Sequence, residues 1–292
     1  MKMKLLLVVC LLAATAAPAE DLSGTWASQW SGSGEISIHL NLQPTMSFGF
    51  SEPLSALKGL TAATLDSASP ATAAFTLERE PGTLRMEGTF RKRRGSGVFD
   101  FTPNHGFGKT LAALGIQAQP SDLDDKSLLL LTTTGISTAR IRELRGMGLQ
   151  IRTMEDVEAI AIHGITPDFV REMRSVGLTD LSLEDALALR IHGASAAYVR
   201  EMTALGFGSP DKEKVVEWRI HGVTPKFVAE LRELGYRDLS ADQLVAMRIH
   251  GVTPKYIRDL RAAGFENIPA EKLVDMRIHG IKPEKLGKRK ER

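Results

Sequence analysis

The N-terminal part of the chain alternates between apolar and polar residues. Every second position is apolar in two stretches: Ile36, Ile38, Leu40 and Leu42, and then Leu84, Met86, Gly88 and Phe90. A period of two is typical of strands with one buried face. We therefore predict a small antiparallel β domain over residues 20–102, with five or six strands arranged as a sandwich or an open barrel.

One hairpin of this domain is expected between the strands that hold Phe90 and Phe99. The intervening run Lys92-Arg93-Arg94-Gly95-Ser96-Gly97 contains two glycines, which accept the positive φ that tight hairpins require. Further candidates for the core are Trp26, Trp30, Phe48, Phe50, Phe75 and Leu77.

Beyond residue 103 the apolar spacing becomes helical and the pattern repeats. Five His-Gly pairs are 29 residues apart: His163-Gly164, His192-Gly193, His221-Gly222, His250-Gly251 and His279-Gly280. A fixed period of this length indicates stacked units, each of which buries its apolar face against its neighbours.

Helix boundaries recur inside each unit. Thr224 before Pro225 predicts the start of one short helix, and Gly235 predicts its end. Ser240, with Gln243 three residues later, predicts the start of a second helix that ends at Gly251. Each unit is therefore expected to be a pair of helices of about ten residues.

These patterns divide the chain into five segments. We predict a signal peptide over 1–19, the β domain over 20–102, a degenerate first helical repeat over 103–134, five 29-residue repeats over 135–280, and a basic C-terminal cap or tail over 281–292. The predicted fold class is α+β multidomain, a small antiparallel β domain followed by an α-solenoid of helix pairs.

The first 19 residues predict export. Lys2 and Lys4 precede an apolar run from Leu5 to Leu12, and Ala17-Pro18-Ala19 fits a cleavage site. A periplasmic or secreted protein follows, and bulky Val9 before Cys10 argues against a lipoprotein. Later apolar runs fall short of the roughly 18 residues of a spanning helix, so we expect no transmembrane segment in the mature chain.

Charge and cysteine content exclude some classes of function. The formal net charge is +2, and loss of Lys2 and Lys4 leaves 35 basic and 35 acidic residues, which is a net charge of zero. We therefore expect no nucleic-acid partner, since binding nucleic acid requires a positive field. Cys10 is the single cysteine, so the mature chain has no disulfide and no cysteine nucleophile.

The five repeated histidines suggest either a metal site or a structural role. Packed helices lie about 8–10 Å apart, whereas zinc ligands must converge to about 2 Å from the ion. We therefore predict no metal and no cofactor. A histidine in the last turn of a helix can bond its terminal carbonyls and favours the helix dipole.

Charged residues also recur at the repeat period. The candidate binding residues are Arg190, Arg219, Arg248 and Arg277 in the second helix, and Glu172, Glu201 and Glu230 in the first. They are either ion pairs between neighbouring repeats on a solvated face or a regular surface for an extended partner. Both interpretations are open at this point.

No catalytic residues are predicted, because neither G-x-S-x-G nor H-E-x-x-H is present. The expected function is a non-catalytic binding or scaffold protein of the bacterial cell envelope, with a protein or peptide partner. The alternative is a small-ligand carrier or an enzyme, with its site in the β domain or at the domain junction near His105. A purely structural spacer is a third hypothesis.

The repeated Arg-Ile-His-Gly-Val-Thr-Pro, with the following Phe or Tyr and Leu-Gly, resembles extracytoplasmic segments of BlaR1-type bacterial membrane metallopeptidases and of related exported proteins. The resemblance covers the repeats, and it implies a sensing or partner-binding role. Those peptidases rely on membrane helices and an H-E-x-x-H zinc motif, so the resemblance does not imply peptidase activity here.

Overall fold

The computed structural model describes residues 22–32, 34–42, 46–118 and 123–286. The predicted signal peptide and residues 287–292 of the predicted basic tail lie outside the described residues. The chain divides into two compact units. The first contains the described residues up to Glu78 and Gly82–Asn104, and the second contains Arg79–Pro81 and the chain from His105 onwards.

The first unit is built on one antiparallel sheet of seven strands. The strands are β1 Leu22–Trp30, β2 Glu35–Leu42, β3 Met46–Pro53, β4 Leu57–Lys58, β5 Ala71–Arg79, β6 Gly82–Arg91 and β7 Arg94–Pro103. Their order is β3-β2-β1-β7-β6-β5-β4, so β3 and β4 form the edges of an open sheet. The prediction of five or six strands was too low, because the two residues of β4 are too few to show an alternation.

One face of the sheet is buried, as the alternation predicted. Ile36, Ile38 and Leu40 of β2 are fully buried, and Trp26, Phe75 and Phe90 form an aromatic cluster with ring centroids 5.3–5.8 Å apart. Of the predicted core residues, Phe48 and Phe50 on the edge strand β3 are only half-buried.

The turn between β6 and β7 differs from the prediction. Lys92 and Arg93 adopt the positive φ values, 49° and 67°, whereas Gly95 and Gly97 lie within β7. These glycines make room for aromatic rings. A Cβ at Gly95 would lie 2.4 Å from the Phe90 ring, and the facing Gly88 lies under Trp26, whose Cζ2 would be 2.6 Å from an added Cβ.

Twelve short α-helices form the second unit, after the four-residue helix α1 Ala62–Leu65 of the first. They are α2 Phe107–Ala113, α3 Asp125–Thr133, α4 Thr138–Gly146, α5 Met154–His163, α6 Pro167–Ser175, α7 Leu183–Ile191, α8 Ala196–Met202, α9 Lys212–Ile220, α10 Pro225–Glu233, α11 Ala241–Ile249, α12 Pro254–Ala262 and α13 Ala270–Ile278. The α+β fold class with helix-pair repeats is confirmed.

The helices stack in two rows. The first helices of the pairs form row A, in which α4, α6, α8, α10 and α12 contact one another in sequence. The second helices form row B, with contacts between α3 and α5, α5 and α7, α7 and α9, and α11 and α13. None of the described helices is long and apolar enough to cross a membrane.

The predicted caps begin these helices. In row A the side chains of Ser137, Thr166, Ser195, Thr224 and Thr253 accept a hydrogen bond from the backbone three residues on. In row B the same bond is made by Thr153, Ser182, Asp211 and Ser240. Pro269 precedes α13 and makes no side-chain cap.

Candidate functional site

Each arginine of the Arg-Ile-His-Gly motif joins two neighbouring repeats. We call Arg190, Arg219, Arg248 and Arg277 the arginine column. Each Nε donates to the carbonyl of the histidine 27 residues earlier: His163, His192, His221 and His250, at 3.0–3.3 Å. The helix termini supply these carbonyls because their oxygens have no partner within the helix.

The same guanidinium groups lie over aromatic rings of row A. The distances from Cζ to the ring centroid are 4.7 Å for Phe169, 5.1 Å for Tyr198, 5.0 Å for Phe227 and 4.8 Å for Tyr256. This geometry is favourable for a cation–π interaction. Burial raises the pKa of Tyr198 to about 12, and its hydroxyl donates to Val223 O at 2.7 Å.

The glycine of each His-Gly pair lies close to this arginine. A Cβ at Gly164, Gly193, Gly222 or Gly251 would approach Nη2 of the arginine in the next repeat to 2.7–3.1 Å. Where Ala161 replaces the arginine, the preceding Gly135 has nothing within 4 Å. The recurrence of Arg and Gly is thus explained by one joint between repeats.

A second set of arginines joins the helices of row A, and the sequence analysis did not identify it. Arg174, Arg232 and Arg261 donate to Met147 O, Leu205 O and Leu234 O. Arg145 makes corresponding bonds to Leu114 O and Ile151 O. Their constant 29-residue spacing, interrupted by Thr203, was the available signal.

The predicted row A carboxylates lie on exposed positions. Glu172 and Glu201 are exposed, and Glu230 is half-buried with its Oε1 3.9 Å from Lys226 Nζ. One ion pair between repeats is formed on this row, from Arg171 to Glu143 at 2.6 Å. Among the described residues, none of the three predicted carboxylates pairs with the arginine column.

The repeated histidines do not converge. His163, His192 and His221 are half-buried, whereas His250 and His279 are exposed. His279 Nδ1 lies 2.8 Å from Asp275 O, four residues earlier in α13. Within the described ranges, no group of three His, Cys, Asp or Glu side chains is close enough to hold a metal ion.

His105, the residue considered at the predicted junction, belongs to the second unit and is exposed. Its Nε2 lies 3.5 Å from Asp125 Oδ1 at the start of α3.

Row B carries five exposed isoleucines at equivalent positions. We call Ile162, Ile191, Ile220, Ile249 and Ile278 the isoleucine column. Their exposed fractions are 54–61%, which is unusual for side chains of this size. The sequence analysis placed Ile249 with the apolar residues of its helix. However, Ile249 lies two residues, or about 200°, from the buried Met247, and this angle was the available signal.

An acidic residue accompanies each isoleucine. We call Glu155, Glu184, Glu213, Asp242 and Glu271 the acidic column, and all five are exposed in the first turn of a row B helix. Each precedes its isoleucine by seven residues. Seven residues are about two helical turns, so both columns lie on one face of row B, about 10 Å apart.

The area between the two columns is largely aliphatic. Leu187, Val216 and Val274, together with Ala188 and Ala246, are half-buried there, and Val245 is buried. Between α7 and α9 this face forms a groove of about 290 Å³. It is lined by Asp185, Ala188, Lys212, Glu213, Val216, Glu217 and Ile220.

Lysines of α9 bridge this face to its neighbours. Lys212 Nζ lies 2.5 Å from Asp185 Oδ2, and Lys214 Nζ lies 2.8 Å from Asp242 Oδ1. Burial alone would raise the pKa of Asp185, but the hydrogen bonds from Lys212 and Ser182 lower it below its ordinary value. The Asp185 carboxylate is therefore charged at neutral pH.

Comparisons with family models, with curated proteins and with solved structures found no match. The resemblance of the repeats to metallopeptidase segments therefore stays a prediction. The candidate site is defined by its geometry alone.

Proposed function

We propose that this chain is a non-catalytic, exported binding or scaffold protein of the bacterial cell envelope, which recognises a protein or peptide through row B of its repeats. The isoleucine column is the observation that carries the proposal. A contiguous apolar patch on a protein surface marks an interaction site, and stacked repeats provide extended surfaces for binding.

The choice of row B over the arginine column follows from what the arginines already do. Their Nε atoms donate to carbonyls of the preceding repeat, and their head groups stack on aromatic rings. The isoleucines contribute no comparable joint, since more than half of each side chain is exposed. Binding by Arg190, Arg219, Arg248, Arg277, Glu172, Glu201 and Glu230 stays a prediction.

Export is part of the proposal and is supported by the residues that suggested it. Lys2 and Lys4, the apolar run and Ala17-Pro18-Ala19 have the order of a secretory signal. The predicted compartment is the periplasm or the extracellular medium.

Site-directed photo-crosslinking in the exporting cell tests the proposal. A crosslinking amino acid replaces Ile191 or Ile249 in the full chain, and matched controls carry it at the exposed row A positions Glu172 or Glu201. We expect the same discrete protein adduct from both isoleucine positions and no such adduct from the controls. Equal adducts from both rows, or none from row B, would contradict the proposal.

A further inference from the structure

We infer that the partner of row B is an extended, cationic polypeptide segment in a polyproline-II-like conformation, with an apolar side chain at every third residue. The inference rests on the proposed function, and it specifies the chemistry of the ligand. Three features of row B carry it: the spacing of the isoleucine column, the position of the acidic column, and the groove between α7 and α9.

The spacing of the repeats matches an extended chain. Neighbouring packed helices lie about 8–10 Å apart, so the isoleucine column presents an apolar group at about that interval. A polyproline II helix has three residues per turn and rises about 3.1 Å per residue, or about 9.3 Å per turn. Every third side chain of such a segment therefore faces one isoleucine, over five successive repeats.

The charge of the surface requires basic groups on the partner. All five row B helices place an exposed carboxylate two turns from the isoleucine. Glu155 and Glu184 form no hydrogen bond or ion pair with any described residue. Lys or Arg side chains that project from the segment toward the acidic column would find these carboxylates accessible, and their attraction falls as salt is raised.

The groove between α7 and α9 combines both features at one repeat. Ala188, Val216 and Ile220 form its apolar walls, while Asp185, Glu213 and Glu217 supply carboxylates. An apolar side chain fits between the helices, and a neighbouring cationic side chain then lies near carboxylates. Lys212 also lines the groove but is already paired with Asp185.

A second copy of this chain does not match the surface. The two columns run parallel along row B, so two copies related by a twofold axis bring the acidic column of one against either the acidic column or the isoleucine column of the other. Both arrangements leave carboxylates without cations. A cationic foreign segment is compatible with both columns at once.

Binding of synthetic peptides to the full mature chain tests the inference. The probe is a fluorescent peptide of five Leu-Lys-Pro triplets, and the control peptides have five Ser-Lys-Pro or five Leu-Glu-Pro triplets. We expect fluorescence anisotropy to show at least tenfold tighter binding of the first. That binding should weaken as ionic strength rises from about 0.1 M to about 1 M, where the Debye length falls from about 10 to about 3 Å.

Two sets of variants locate the binding. The triple variant Ile191→Asp, Ile220→Asp, Ile249→Asp should lose at least tenfold in affinity, and the double variant Glu184→Gln, Glu213→Gln should lose most of the salt dependence. The matched control is Val98→Asp, an equally exposed aliphatic residue on β7, which should bind like the wild type. Circular dichroism checks that each variant is folded.

Several outcomes overturn the inference. Equal binding of any two of the three peptides would remove the role of apolar spacing or of charge, and unchanged binding by the triple variant would remove row B. Self-association of the mature chain that Ile220→Asp abolishes would favour a second copy. If crosslinking at Ile191 succeeds but the peptides fail, the proposed function stands without this partner; failure of both rejects the proposed function too.

Discussion

At the scale of single residues, one arginine stabilises each joint in three ways. Arg277 donates to His250 O at 3.3 Å, lies 4.8 Å from the centroid of the Tyr256 ring, and covers Gly251. A hydrogen bond from a charged donor contributes about 1.5–3 kcal/mol and an exposed cation–π contact about 0.5–1 kcal/mol. Solvent exposure places these joints toward the lower values.

The variant Gly251→Ala tests this joint. Gly251 has φ 70°, and a Cβ there would lie 2.9 Å from Arg277 Nη2. The matched control Gly135→Ala has φ 67° and nothing within 4 Å. Both variants should lose about 1–2 kcal/mol to left-handed backbone strain, and Gly251→Ala should lose about 1 kcal/mol more. Urea denaturation measures both, and equal losses would reject the role of the arginine.

At the scale of elements, the repeat depends on helix ends. The regular helices of rows A and B have nine or ten residues, a length at which an isolated helix is marginal in water. Capping and packing against the neighbouring pair must therefore supply the stability. At Ser240 both halves of a capping box are present, because Gln243 N donates to Ser240 Oγ at 3.1 Å and Ser240 N donates to Gln243 Oε1 at 2.8 Å.

Removal of one cap should have a measurable cost. Ser240→Ala should lower the free energy of unfolding by about 1 kcal/mol, because the N–H of Gln243 loses its acceptor. The control Ser209→Ala changes an exposed serine that makes no cap, and it should stay within about 0.5 kcal/mol of the wild type. Thermal denaturation followed by circular dichroism compares the two. A loss in the control as large as in Ser240→Ala would show that capping is not the cause.

At the scale of the repeat unit as a whole, stability is a sum over interfaces between neighbours. Row A has one irregular interface. Thr203 occupies the position where the neighbouring repeats have Arg174 and Arg232, and α8 is followed there by a π-helical turn, Thr203–Phe207. The arginine bond to the preceding helix is therefore missing in the middle of the stack.

Restoring that arginine should strengthen the stack. In Thr203→Arg we expect the guanidinium to reach Val176 O, because Arg174, Arg232 and Arg261 each donate to the carbonyl 27 residues earlier. The free energy of unfolding should rise by about 1 kcal/mol. Thr203→Met is the control, with a long side chain and no donor. An equal gain in both variants would attribute the effect to packing.

Much of the repeat region could be predicted because its signals are local. Thr224 with Pro225, Ser240 with Gln243, and the glycine of each His-Gly pair act within a few residues of chain, and the structure has helices that begin and end at these positions. Period-two alternation is equally local, and it located β2 and β6. The hairpin glycines were misinterpreted, because the Phe90 ring that packs against Gly95 is a tertiary neighbour.

The sequence alone determined the elements, their order and the 29-residue period, because capping, turn formation and amphipathic spacing are properties of short segments. Only the tertiary structure decided which repeated side chains are used between repeats and which are left to solvent. Arg248 and Ile249 are adjacent and equally periodic, yet one reaches a carbonyl of the preceding repeat and the other is exposed. That difference depends on the direction of each side chain relative to a helix 27 to 29 residues away, which no local pattern contains.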